Sequence, residues 1–348
     1  MLHAVCPQVW GDLVSTRRRA AVFLDNLDAV CGATNRRTWI AKWIKIGDTH
    51  CFLCDLNLSK GASAEAAEAW LSALTAFEVA RRLLDENDQQ SEEVSARVES
   101  VILRFGPCLE QKLEEIQIAG CDETECSAYF LPAGGPNLCS PPVICISREE
   151  ETRATLLGRL LPAVIGRSIS VLIVSHEDVT KHGHSETFLS CCLDFLSSRL
   201  GVDDTRVGVY GEGLSAVLAT DFATSDERVA AAVCDGGLWS WARNLASVGW
   251  MTRSPSKLHE DALSVRRSRL ARQMGCPVLV VAGGRGTVSV SEAIKLQAEC
   301  RASCIDLEVM VARMVRAPVG EIENFVSSDD YIFGWLEHKL AAFQGNQH

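Results

Sequence analysis

Over the first hundred positions apolar residues recur three and four apart, whereas from about position 143 they form short unbroken blocks separated by longer mixed segments. The first pattern predicts helices. Ala21 to Val30 is short and apolar, and Thr38 to Leu58 carries Trp39, Ile40, Trp43, Ile44, Phe52, Leu53 and Leu56. After Gly61, Ser63 reads as the N-cap of a helix with Trp70, Leu74, Phe77 and Leu84 on one stripe. Glu92 to Phe105 follows, with Val94, Val98, Val101 and Ile102 on its apolar side and Gly106-Pro107 closing it. These stripes predict core or domain-interface packing rather than a cofactor surface. Together they predict an N-terminal helical, cap-like domain over residues 1–110.

Beyond it, Leu113 to Ala119 and Ser127 to Leu131 alternate like paired strands, and Pro132 to Pro142 has the Pro, Gly and Asn content of a surface loop. Apolar strands are then expected at Val143 to Ser147, Ser168 to Ser175, Arg206 onward, Arg228 to Cys234, Pro277 to Ala282 and Asp306 to Ala312. Helices are expected between them at Thr152 to Gly166, Glu186 to Leu200, Leu214 to Ala223 and Ser291 to Cys300, with a last one at Asp329 to Phe343. Trp239 to Met274 reads as a helical insertion. Strands without polar alternation, each followed by a helix, predict an α/β domain over 111–348 with a mostly parallel, doubly wound sheet. Ligands of such sheets bind at the carboxyl ends of the strands.

One stretch organises that domain. Arg206 to Ala216, Arg-Val-Gly-Val-Tyr-Gly-Glu-Gly-Leu-Ser-Ala, reads as strand, sharp turn and helix, the layout of a nucleophile elbow. The small residues required two positions either side of the nucleophile are Gly211 and Ser215, and the nucleophile slot itself is Gly213, which has no side chain.

Composition narrows the function. The net charge of −11 argues against a nucleic-acid surface, and no apolar run reaches the roughly 18 residues of a membrane span. Without a secretion signal at Met1 to Arg19, the expected location is the cytoplasm. There the 15 cysteines are expected to be reduced, small apolar residues. Cys51 and Cys54, with Cys121 and Cys126, fit no usual zinc spacing, so neither metal nor cofactor is expected. The expected partner is a small-molecule ligand, with assembly into a homodimer left open.

The chain resembles the α/β-hydrolases of the dihydroxypseudooxynicotine hydrolase and fermentation-respiration switch protein type, which place a helical domain before the hydrolase fold. The resemblance covers roughly Arg36 to Phe343. It is carried by the run from Trp39 to His50, by Arg206 to Ala216, by the run from Asp226 to Val233 and by Cys276-Pro-Val-Leu-Val-Val-Ala-Gly-Gly-Arg285. It implies cleavage of C-C, ester or related bonds by Ser, Asp and His on three strand ends. This sequence departs at all three positions: Gly213 at the nucleophile slot, Gly286 at the acid slot, and no histidine in the loop after Ala312, where Arg313 to Glu321 stands. The oxyanion turn is replaced by Ser147-Arg148-Glu149-Glu150-Glu151, whose carboxylates are expected to open the following helix and point to solvent.

Two function classes follow. The first is a hydrolase-derived pocket that binds a small molecule or partner without hydrolysis, with Ser147, Arg148, His176, Glu177, Glu212 and Ser215 as candidate pocket residues. The second is an active hydrolase or lyase with relocated chemistry, for example proton transfer by His176 or Glu212 on an ester, C-C or keto-aromatic substrate. Cys234, before Asp235, is a further reactive-thiol candidate at a strand end.

Overall fold

The computed structural model describes residues 12–30, 36–84, 89–106, 109–120, 125–134, 139–181, 185–236, 275–283, 289–302, 304–317 and 320–342. In chain order the described helices are α1 (Leu13–Asp25), α2 (Leu27–Val30), α3 (Arg36–Ser59), α4 (Ser63–Leu83), α5 (Gln89–Phe105), α6 (Arg153–Val164), α7 (His176–Lys181), α8 (Ser185–Ser197), α9 (Ser215–Ser225), α10 (Val290–Ala302) and α11 (Phe325–Ala342). The strands are β1 (Glu114–Ala119), β2 (Glu125–Leu131), β3 (Pro142–Ile146), β4 (Ser170–Val174), β5 (Val207–Glu212), β6 (Val229–Asp235), β7 (Val278–Ala282), β8 (Leu307–Val311), β9 (Met314–Ala317) and β10 (Gly320–Glu323). The expected insertion at 239–274 and the acid slot Gly286 lie outside the described residues.

The chain divides into two compact units, the first comprising Met1–Glu114, Arg153–Ile165 and Arg313–Tyr331. Its centre is α4, whose alanine-rich sequence lets α1, α3, α5 and α6 approach on several sides while Trp70, Leu74 and Phe77 fill the space between them. Gly47 of α3 sits where a Cβ would lie 2.5 Å from the Phe77 ring, so α3 crosses α4 at a distance no larger residue permits. Phe23 of α1 packs against Trp39 and Trp43 of α3. Ser63 is the first helical residue rather than the N-cap, and Ala62 holds the cap position without a side-chain bond. The first helix starts at Leu13, well before Ala21, because Arg17 is buried there and its guanidinium meets Asp330 at 2.6 Å. The segment after Ala312, expected as a loop, folds as the antiparallel hairpin β9–β10, with Ile322 opposite Val315.

This helical unit buries charge. Glu78 accepts from Arg81 Nε and Arg82 Nε, both at 2.7 Å. Burial alone would raise its pKa, but Arg81 and Arg82, aided by Arg159, hold it at about 2. Asp329 has the opposite balance. Its Oδ1 is 3.8 Å from Arg159 Nη1, its Oδ2 has no hydrogen-bond partner among the described residues, and burial together with Glu323 outweighs Arg159, Arg17 and Arg82 to push it up to about 7. A carboxyl raised above its unfolded value of about 3.9 binds more protons folded than unfolded, so its contribution to stability falls as pH rises from about 4 to 7 and stays low above that. The variant Asp329→Asn is therefore expected to flatten this decline and to stabilise the unit above pH 7 by roughly 2–4 kcal/mol. Urea midpoints at pH 5 and pH 8 measure it, and equal wild-type and variant pH dependence contradicts it.

The second unit comprises Glu115–Thr152, Gly166–Ala312 and Ile332–His348. Its eight strands lie in the order β1-β2-β4-β3-β5-β6-β7-β8. The pairs β4–β3, β3–β5, β5–β6, β6–β7 and β7–β8 are parallel, and β2–β4 is antiparallel. Every residue of β3 to β7 is buried, so both faces of the central sheet are covered, as their apolar sequences require. Gly208 of β5 leaves room for Leu336 and Leu340 of α11, whose methyl groups would stand 3.4 and 3.2 Å from a Cβ there. No described helix is long and apolar enough to cross a membrane.

Candidate functional site

Strand register builds the site. Ile146 of β3 pairs with Gly211 of β5 and with Val174 of β4, and Glu212 of β5 pairs with Asp235 of β6. The residues just past those positions, Ser147 to Glu151, His176, Gly213 and Gly236, therefore gather at the carboxyl ends of adjacent parallel strands.

Gly213 forms the apex of the turn with φ +65°, the left-handed region that favours glycine. Its N–H donates to Asp235 O at 2.8 Å, and its carbonyl accepts from Ala216 N at 3.3 Å as α9 begins. Gly211 must be glycine, because a Cβ there would lie 2.1 Å from Ser215 O. A Cβ at Gly213 would instead face the loop after β3, with Glu149 Oε2 at 3.3 Å and Arg148 Cγ and Cδ at 3.8 Å.

The loop carries most of the charge here. Arg148 Nε is 3.4 Å from Glu212 Oε1 and 3.9 Å from Glu151 Oε2. Tyr210 OH lies 3.2 Å from Glu212 Oε2 and 3.4 Å from Asp235 Oδ2. Two buried carboxylates, on Glu151 and Glu212, thus flank one guanidinium, and a third, on Asp235, is joined to Glu212 through Tyr210 OH. Glu149 and Glu150 are exposed as the sequence predicts, but Glu151 is turned inward toward Arg148, and α6 starts only at Arg153.

Ser147, His176 and Ser215 form a bonded set. Ser215 Oγ donates to Ser147 O at 2.5 Å and lies 2.7 Å from His176 Nδ1. The His176 backbone N–H donates to Ser147 Oγ at 3.2 Å. Burial holds the His176 imidazole below its ordinary pKa, with Glu149 pulling the other way, so the ring is neutral at pH 7. Ser215 is fully buried, whereas His176 is half-buried. Glu177 does not join this set, because it is exposed and forms an ion pair with Lys181 at 2.8 Å. Cys234 is buried beside Thr220 Oγ1, and burial pushes its thiol up to about 12, which leaves almost no thiolate at neutral pH.

No known family profile and no curated protein matches the sequence. Solved structures do. The 2,6-dihydroxy-pseudo-oxynicotine hydrolase superimposes with a TM-score of 0.60 at 18% identity, over 93% of this chain and 96% of that one. The chain has the α/β-hydrolase fold. AbyA5 shares this fold with a TM-score of 0.52 at 14% identity, over 96% of this chain and 95% of AbyA5. A Mycobacterium tuberculosis puromycin-hydrolyzing peptidase gives 0.50 at 17% identity, over 66% of this chain and 39% of that one. β5, Gly213 and α9 form the strand, sharp turn and helix that the sequence predicts over Arg206 to Ala216.

Asp235, Glu151 and Tyr210 belong to this site although sequence reading did not select them. Asp235 carried one usable signal, its place at the end of an apolar strand followed by Gly236. The inward turn of Glu151 had none.

Proposed function

We propose that this chain binds a small molecule at the carboxyl ends of β3, β5 and β6 and does not hydrolyse it. The carrying observation is the apex of the elbow, where Gly213 keeps the positive φ of a nucleophile position and offers no nucleophile. Ser215 does not replace it. Its single hydroxyl hydrogen is committed to the Ser147 carbonyl, and its oxygen is fully buried in the first turn of α9. The surroundings also oppose acyl transfer, because an oxyanion here would meet Glu149, Glu151, Glu212 and Asp235 with Arg148 as the balancing cation. The sequence places glycine at the acid slot as well, and the segment expected to carry the catalytic histidine is the histidine-free hairpin β9–β10.

The reading is tested by restoring the missing hydroxyl. In Gly213→Ser the backbone is already in the required conformation, but the new serine has no base to activate it, so p-nitrophenyl acetate and butyrate are expected to turn over within about twofold of the buffer blank. Turnover a hundredfold above blank in the variant would mean that the base and acid are present and that only the nucleophile has been lost. Turnover of that size in the wild-type chain would sink the reading.

A further inference from the structure

We propose that His176 is a fixed proton acceptor at the carboxyl ends of the central strands, presenting Nε2 to the bound molecule and taking an acidic hydrogen from it. The inference rests on the non-hydrolytic reading, since it requires that Ser215 serve His176 as a hydrogen-bond acceptor rather than as a nucleophile. The Ser147 carbonyl can only accept, so the short bond between it and Ser215 Oγ uses the one hydroxyl hydrogen of Ser215. The 2.7 Å contact from Ser215 Oγ to His176 Nδ1 then has its hydrogen on the imidazole. In a neutral ring this leaves the lone pair on Nε2.

The rest of the ring's environment fits that assignment. His176 is held from below by its backbone bond to Ser147 Oγ, and from above by Thr180 Oγ1 donating to its carbonyl. Nε2 makes no hydrogen bond among the described residues, and His176 is only half-buried. Of the carboxylates nearby, Asp178 is bonded to Ser175 and Glu177 to Lys181, while Glu149 of the loop after β3 acts on the imidazole and stabilises the cation formed when it takes a proton. The chemistry that fits is deprotonation of a carbon acid, with the proton passing to Nε2 and then to water. The carboxylate surroundings favour a neutral or cationic acid over an anionic one.

The probe is 5-nitrobenzisoxazole, a neutral carbon acid. Nε2 takes its C3 hydrogen, the C3–H electron pair forms the third carbon–nitrogen bond of a nitrile as the ring N–O bond breaks, the N–O electron pair leaves on the phenolate oxygen, and the imidazolium returns its proton to water. The rate is expected to rise with pH to a plateau whose midpoint lies below 6.5, the ordinary histidine value. His176→Gln, checked for folding by circular dichroism, is expected to lose at least tenfold. In ¹H–¹⁵N correlation spectra the resonances absent from His176→Gln are expected to show a hydrogen on Nδ1, and Ser215→Ala to add the Nε2–H form and slow the probe several-fold. A wild-type Nε2–H tautomer, no rate above buffer, or an unchanged rate in His176→Gln overturns the proposal and leaves the non-hydrolytic reading intact. Acylation of Ser215 would overturn both.

Discussion

Gly211→Ala is expected to yield little soluble protein, and what is recovered should be destabilised by more than about 3 kcal/mol. The added methyl would lie 2.1 Å from Ser215 O, 2.5 Å from Ser215 C and 2.9 Å from Ala216 N. These are backbone atoms in the first turn of α9, so no side-chain rotation relieves the overlap. Either β5 or α9 has to move, and with α9 goes the bond from Ser215 to the loop after β3. Gly275→Ala is the matched control, because nothing lies within 4 Å of its would-be Cβ. Thermal melting of the two variants side by side measures the difference. A Gly211→Ala protein that melts with wild type would show that the turn is not built as described.

The second large effect belongs to the helical unit. Glu78→Ala leaves Arg82 buried without the carboxylate to which its Nε is bonded, and it removes both bonds to Arg81. Deleting one partner of a buried, hydrogen-bonded ion pair costs about 3–5 kcal/mol, chiefly because the remaining charge is stranded away from water. Amide exchange in α4 is expected to accelerate by roughly a hundredfold to a thousandfold, since opening of this helix then needs that much less free energy. The wild-type chain should weaken in the same region as pH falls from the unfolded carboxyl value of about 4.3 toward about 2, where Glu78 takes up a proton. Its depressed pKa contributes stability above the unfolded value, and that contribution is lost as pH falls toward about 2. Exchange in α4 unchanged by the substitution would contradict this account.

What was legible in the sequence divides along local and long-range causes. The parallel sheet was readable because Val143 to Ile146, Val207 to Tyr210 and Val278 to Ala282 are apolar on both faces, a local property. The elbow was readable because its glycine spacing is a steric requirement of the turn itself. The early start of α1 was hidden, since Arg17 looks solvent-exposed until Asp330, 313 positions later, is placed beside it. The hairpin β9–β10 was hidden because Val315 and Ile322 alone supply its apolar cross-strand pair.

The site followed the same division. Ser147, Arg148, His176, Glu212 and Ser215 were selected because they stand at strand ends or in the elbow, and the structure brings all five together. Asp235 entered only through the register of β6 against β5, which no local pattern encodes. The committed hydroxyl of Ser215 was invisible for the same reason, as its acceptor lies 68 positions away at Ser147.

Whether this α/β-hydrolase fold works without acyl chemistry is decided by intact-mass spectrometry after exposure to a fluorophosphonate, with Ser215→Ala in parallel. No mass gain is expected for either protein. A single phosphonyl adduct on the wild-type chain that disappears in Ser215→Ala would contradict it, because Ser215 would then be a working nucleophile.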